Sequence, residues 1–374
     1  MMEAMNNNSH SELNTFSRNT LFGALLFVVF SVVITVAVYR VFGEPAVAEV
    51  EAPFLLAKER LVRNDSSINT VFIGSSVTFR QIDPGVFDAA YAEASGAAAL
   101  KSFNLGNPGL YPMRSVSYLS HIIDEPPPGV SLVFFELFRL DSVTYNYKSP
   151  EIMHLMSLPG FSDVVKTIRA ANFPFDYKVY LVGQYLRALL FKLTGFGMLD
   201  YLGIDRELRP LDEERLSHAS SGYLAKDIEL MLSQDPDNVA KISAIGERFQ
   251  QGGDSLEQRK RLHREKYNNE WQLRPSPYLN RLKELAVEAD GKGIRVVYLL
   301  PPLLTNRGIY FAYPVYRQLP VDHRLDLSDP AVFPELYSAG NLFDLEHVNS
   351  DGALVLSRHL AEAYAAMPQA TAAP

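Results

Sequence analysis

Two length scales of apolar patterning run along this chain. Short apolar runs of strand length recur: Thr70-Val71-Phe72-Ile73, the segment SFNLGNP at 102–108, SLVFFELF at 131–138 and IRVVYLLPP at 294–302. Runs that are apolar on both faces belong to strands covered on both sides, the environment of a parallel sheet. Between them lie segments with helical spacing. In YPMRSVSYLSHII (111–123), Tyr111, Val116, Leu119 and Ile122-Ile123 fall on or near one face. Ser276-Pro277 reads as a helix cap followed by proline at the first helical position; Leu279, Leu282 and Leu285 form the stripe, and Gly291 and Gly293 the stop. A last amphipathic helix carries Ala353, Leu356, Leu360 and Tyr364 on one face. Strand–helix–strand repetition predicts an α/β fold, a three-layer α/β/α sandwich around a mainly parallel sheet. Ligands of such sheets bind at the carboxyl ends of the strands. Gly74-Ser75-Ser76, Gly106-Asn107 and Asp344–His347 all fall at such ends.

Two stretches break the pattern. LFGALLFVVFSVVITVAVY, residues 21–39, contains no charge and is closed by Arg40. A bilayer core needs roughly 20 apolar residues in a helix, so a transmembrane anchor is expected over 21–42. A buried helix and a signal peptide, cleaved after the small residues Ala46-Val47-Ala48, are the alternatives. A core helix is rarely apolar on every face. The run is long for a signal peptide, and only Arg18 stands before it against Glu3 and Glu12. Arg18 and Arg40 nearly balance, so flanking charge sets no orientation. The second break is an insert at 142–270, charged, aromatic and helical in pattern. Its most apolar piece, YKVYLVGQYLRALLFKL (177–193), is punctuated by Lys178, Arg187 and Lys192, which argues against a second span. A lid over the site and an ordinary packed helix both fit. The expected organisation is a cytoplasmic tail (1–20), an anchor (21–42), a connector with a helical pattern around Phe54 to Leu61 (43–67), an α/β domain (68–366) interrupted by the insert, and a disordered tail (367–374).

The 374 residues, 47% of them apolar, suffice for a substantial core, and the formal charge of −8 argues against a general nucleic-acid binder. There is no cysteine, so disulfides, thiolate nucleophiles and cysteine-based metal sites are impossible. That composition fits an oxidising compartment. Of the histidines, His121 is expected to be structural, and His154, His218 and His263 to lie on the surface of the insert. His323 falls in a loop and His359 on the polar side of the last helix. None belongs to an H-E-x-x-H pattern, and neither a metal nor another cofactor is expected.

A serine hydroxyl becomes a nucleophile only beside a base that is itself oriented. The segment FDLEHVNSDG supplies a candidate pair, because Asp344 and His347 are three residues apart and share one side of a turn or first helical turn. Taken singly, each piece has a plainer reading. Gly-Ser-Ser after a strand can be a turn or a phosphate cradle at a helix N-terminus. Asp-x-x-His can be a cap or a metal-ligand pair.

Taken together and in this order, these segments resemble the SGNH, or GDSL-type, hydrolase superfamily over roughly residues 68–140 and 275–366. The resemblance implies a flavodoxin-like sheet, Ser76 as nucleophile with Ser75 where aspartate is usual, His347 as base and Asp344 as its orienting acid. It also implies that the Gly106 N–H holds the oxyanion. The family's third block, Gly-x-Asn-Asp, is absent. FFELFRLD stands there, leaving Asn107 or Arg139 as substitutes for the missing asparagine donor. With an N-terminal anchor, the pattern is similar to the divergent SGNH-like proteins of bacterial envelope-polymer acylation. The expected activity is that of an ester hydrolase or O-acyltransferase at the inner membrane, with its domain outside the cytoplasm. The implied partners are an envelope glycan or acyl-carrier substrate and a multispanning membrane acyltransferase. The alternative is a non-catalytic scaffold that binds a polymer or docks such an acyltransferase.

Overall fold

The four apolar runs are strands, and a fifth joins them. In the computed structural model β1 (Thr70–Ile73), β2 (Ser102–Asn104), β3 (Leu132–Glu136), β4 (Arg295–Leu300) and β5 (Arg324–Asp326) form one parallel sheet in the order β2-β1-β3-β4-β5. The structure describes residues 20, 22–37, 53–97, 100–110, 112–137, 140, 156–194, 208–252, 254–267, 274–302, 304 and 310–368. The fifth strand, Arg-Leu-Asp, is too short and too polar to show as an apolar run; it is defined by pairing Arg324–Asp326 with Tyr298–Leu300. Strand order reverses between β1 and β3, and such a switch point opens a crevice at the carboxyl edge. Gly74-Ser75-Ser76 and Glu136 stand there.

The helices are α1 (Pro53–Asn64), α2 (Ser76–Gln81), α3 (Pro84–Ser95) and α4 (Pro112–Asp124). The insert contributes α5 (Leu158–Ala170), α6 (Phe175–Leu193), α7 (Pro210–His218), α8 (Lys226–Leu232), α9 (Pro236–Gln251) and α10 (Asp254–Tyr267). After it come α11 (Pro277–Asp290), α12 (Ala312–Gln318) and α13 (Ser350–Ala365). Side chains alternate along each strand, so the sheet separates two cores. One face packs Val71, Ile73, Val133, Phe135 and Tyr298 against Leu119 and Ile122 of α4 and Leu282 and Leu285 of α11. The other packs Phe72, Phe134 and Val297 against Phe87 of α3 and Leu356, Leu360 and Tyr364 of α13. Its centre is aromatic: Phe72 stacks on Phe134 at 5.0 Å, and Phe87 and Tyr364 meet Phe134 edge-on at 5.3 and 5.1 Å. Ser276 caps α11 by accepting the Leu279 N–H at 3.3 Å.

The insert divides in two. Helices α5 and α6 thicken the α4–α11 layer through Val164, Ile168, Leu181, Tyr185 and Leu189. Residues 219–229 instead reach the carboxyl edge, where the Asn104 N–H donates to the Ser221 carbonyl and the Leu224 N–H to the Phe79 carbonyl.

Several expectations are revised. Helix α1, read as connector, packs into the domain: Leu55 and Val62 are in the core, and Lys58 is wholly buried. His263 is buried against the Tyr337 ring, 6.2 Å away, rather than on the surface. It and Leu256 are seven residues apart on α10, so both turn inward from a helix whose other positions are mostly charged. His323, expected in a loop, ends a short 3-10 turn and is buried, with Nδ1 2.8 Å from the Val296 carbonyl and Nε2 3.3 Å from Asp290. His154 lies outside the described residues. Residues 22–37 are helical with exposed apolar side chains, and among the described residues no helix is long and apolar enough to cross a membrane. Leu21, residues 38–42 and tail residues 1–19 lie outside the described residues. In the C-terminal tail, Met367 is buried and the Pro368 carbonyl accepts from Arg295; residues 369–374 lie outside.

Candidate active site

The chain leaves β1 at Ile73 and enters α2 at Ser76 with only Gly74 and Ser75 between. Ser75 caps the helix: its Oγ accepts the Val77 N–H at 3.0 Å and donates to Glu136 Oε1 at 2.8 Å. Glu136, at the end of β3, also accepts the Ser75 N–H at 2.9 Å, the Thr78 N–H at 3.1 Å and the Thr78 hydroxyl at 2.6 Å. One buried carboxylate thus holds the turn from four directions. Burial pushes its pKa up, against the downward pull of those donors. A Cβ on Gly74 would lie 1.9 Å from Thr78 Oγ1 and 2.4 Å from Glu136 Oε2, so only glycine admits this closure.

His347 meets this turn from the other side of the crevice. Its Nε2 lies 3.0 Å from Ser76 Oγ, and its Nδ1 lies 3.0 and 3.1 Å from the two oxygens of Asp344. The spacing of Asp-x-x-His works through a turn rather than a helix. Asp344 Oδ1 accepts the N–H groups of Glu346 and His347 at 2.7 and 2.9 Å, and the Phe343 and Asp344 N–H groups both donate to the His347 carbonyl. Asn349 then caps α13 by accepting the Gly352 N–H at 2.9 Å. Lys226, on α8 of the insert, donates to Asp344 Oδ2 at 2.6 Å. Burial would raise the Asp344 pKa, but His347 and Lys226 outweigh it and hold the carboxyl well below its ordinary range. Burial lowers the His347 pKa against the pull of Asp344, and the Lys226 charge lowers it further. A neutral imidazole at neutral pH, with Nδ1–H donated to a carboxylate, leaves Nε2 as a lone-pair acceptor for the serine hydroxyl.

Compared with known proteins, the chain matches no family model and no curated protein. The chemistry therefore rests on the side chains themselves.

On the oxyanion side the structure redistributes roles. The Gly106 N–H is not free: it donates to Asn104 Oδ1 at 2.8 Å. Asn104 in turn donates from Nδ2 to the Thr78 and Ile82 carbonyls, both at 2.8 Å, so it laces α2 to the loop after β2. A Cβ on Gly106 would stand 2.4 Å from the Phe79 nitrogen, which makes this glycine a close-approach residue. Lys58 fastens the same loop from behind, donating to the Gly106 carbonyl at 2.7 Å and the Gly222 carbonyl at 2.8 Å. Asn107 donates its backbone N–H to the Gly74 carbonyl at 2.9 Å and is nearly buried. Arg139 lies outside the described residues.

Sequence reasoning identified Ser76, His347 and Asp344, which the structure brings within hydrogen-bond reach of one another. It missed Glu136, Asn104, Lys226 and Lys58. Glu136 carried a legible signal, a carboxylate inside the apolar run LVFFELF. Lys226 carried none, since it stands 118 residues from the aspartate it pairs with. Among the described residues no group of three or more acidic or histidine side chains is arranged to hold a metal ion.

Proposed function

We propose that this chain is an SGNH-type serine esterase or O-acyltransferase, anchored in a bacterial inner membrane by residues 21–39 and acting outside the cytoplasm on acyl groups of a cell-envelope glycan or lipid-linked polymer. The observation that supports the reading most is the relay of Ser76 Oγ to His347 Nε2 at 3.0 Å and of His347 Nδ1 to Asp344 at 3.0 Å. Ser76 Oγ attacks an acyl ester or thioester carbonyl while its proton passes to His347 Nε2. The tetrahedral oxyanion takes donors from the Ser76 N–H and the Asn107 side-chain amide, in place of the Gly106 N–H first expected. Collapse breaks the bond to the leaving oxygen or sulfur, which takes the proton back from His347. Water or a sugar hydroxyl, deprotonated by the same imidazole, then attacks the acyl-serine and restores the enzyme. The reading requires no metal and no cofactor. A multispanning acyltransferase that supplies acyl groups is the partner it suggests.

The engagement of the Gly106 N–H by Asn104 and the missing third-block asparagine favour a second reading, a scaffold that binds polymer without turnover. Reaction with a fluorophosphonate serine probe separates the two. The enzyme reading expects labelling of the full chain that Ser76→Ala abolishes. Labelling that is absent, or unchanged in Ser76→Ala, refutes it.

A further inference from the structure

Helix α6 is apolar on its outward face as well as on its inward one. Phe175, Val179, Tyr180, Leu186 and Leu190 are exposed, Phe175 by 82% and Val179 by 56%, and only Asp176 and Arg187 share that face. The buried face carries Leu181, Tyr185, Ala188 and Leu189 into the core, with Gln184 and Lys192 beside them. A helix on the surface of a domain ordinarily turns its charged residues outward. Beside the N-terminal half of this face, between α5 and α6, lies an open cavity of about 610 Å³. Phe175 and Val179 line it together with four cations, Lys166, Arg169, Lys178 and Arg274, and among the described residues no carboxylate lines it. Lys166 pairs with exposed Asp163 at 3.2 Å, and Lys178 donates to the Arg169 carbonyl at 3.0 Å. Burial lowers the Lys178 pKa, and the like charge of Arg274 lowers it further.

We propose that the outward face of α6 and this cationic cavity rest on a lipid bilayer whose surface carries anionic headgroups. An apolar helix face edged by lysine and arginine is the pattern of a helix lying in the membrane interface. The apolar side chains enter the acyl boundary, and the cations meet phosphate oxygens. A protein partner could cover the apolar stripe, but the excess of cations beside it calls for a fixed anionic surface. Chain length permits the contact. Residues 38–52 separate the apolar helix 22–37 from α1 and span at most about 50 Å when fully extended. This tethering argument rests on the anchor reading above; the charge and burial of α6 do not.

The absence of cysteine makes the test clean. Val179→Cys, and Val287→Cys on α11 as a control that is also solvent-exposed, each receive an environment-sensitive fluorophore. The full chain is then reconstituted in vesicles of phosphatidylcholine, with or without one quarter phosphatidylglycerol. Flotation of the vesicles reads the anchor separately. In the anionic vesicles the label at 179 is expected to shift to the blue and be quenched by spin-labelled lipid, while the label at 287 is not. Lys178→Glu with Arg274→Glu should cut the quenched fraction severalfold, since each cation near such a surface contributes about fivefold in binding. A label at 179 that stays as solvent-exposed as that at 287, in chains that float, overturns the proposal and leaves the anchor intact. A blue shift that follows protein concentration rather than anionic lipid also overturns it, assigning the face to a second copy. Chains that fail to float refute the anchor, while the quenching at 179 by added vesicles still decides the surface.

Discussion

The serine turn and the histidine loop face each other across one crevice, yet they are held by different parts of the molecule. The turn at 74–78 is fastened by the sheet: Glu136 comes from β3 and Asn104 from β2. The loop at 343–349 is fastened by the insert and by helix α2. Lys226 grips Asp344, Asp227 accepts from the Ser350 N–H at 2.9 Å, and Gln81 donates to the Glu346 carbonyl at 2.6 Å. The nucleophile is therefore placed by the part of the fold with the least freedom. The base is placed by a segment that a parallel sheet does not need. Damage to the first should remove reactivity; damage to the second should retune it.

Glu136→Gln is the strongest way to break the comparison on the sheet side. A glutamine keeps one oxygen for the three donors at Oε2 and sets its NH₂ against the Ser75 hydroxyl, which then loses its acceptor and must turn to accept instead. We expect a stability loss of about 1–3 kcal/mol, read by denaturant melts. Because small misplacements of reacting groups are costly, the fluorophosphonate reaction should slow by roughly 10²-fold. A variant that reacts at the parental rate would show that the sheet does not place the serine.

On the insert side, Lys226→Met should act through pH. The base must be neutral, so the labelling rate falls as pH drops through the His347 pKa. Burial places that acid limb below the ordinary histidine value of about 6.5. Lys226 lowers the same pKa, so its removal should move the limb to higher pH and slow the reaction most near that limb. Lys226→Arg, which keeps the charge, should leave the limb close to its parental position. Parallel pH profiles for Lys226→Met and the parent would detach the insert from the base.

Ser75→Ala should have the smallest effect. It removes a cap and one of the four donors to Glu136 while leaving the Ser75 and Thr78 N–H contacts in place. The expected cost is about 0.5–2 kcal/mol in thermal or denaturant stability, with labelling retained within severalfold. Loss of labelling in Ser75→Ala, with Ser76→Ala still reactive, would move the nucleophile to Ser75.

The elements found from sequence are those whose signals are local. β1, β3 and β4 announce themselves as two-faced apolar runs, α11 by its Ser-Pro start and glycine stop, and Asp344 with His347 by a three-residue spacing that one turn can satisfy. β5 escaped because three residues, two of them charged, become a strand only when β4 offers them partners. The helical pattern around Phe54 to Leu61 was legible, but not that it joins the domain, because charged side chains such as Lys58 and Glu59 ordinarily stay in solvent. In the fold Lys58 is buried with two carbonyls to bond, and Glu59 accepts from Tyr118 at 3.1 Å and pairs with Arg63 at 2.6 Å. His263 escaped because one inward position on a charged helix leaves almost no periodic trace.

By itself the sequence determined that β1 to β4 and helices α4, α11 and α13 form, and that a serine follows β1 directly. These are properties of neighbours a few residues apart, where apolar period and turn chemistry act directly. The Asp-x-x-His pair, expected at a strand end, lies instead in the long loop between β5 and α13. Only the tertiary structure decided that Glu136 supports the serine turn, that Asn104 takes the Gly106 N–H, and that Lys226 holds the acid. Each of those is a buried polar group whose partner comes from a separate part of the chain, and desolvation leaves it no alternative but the partner that the fold brings within reach.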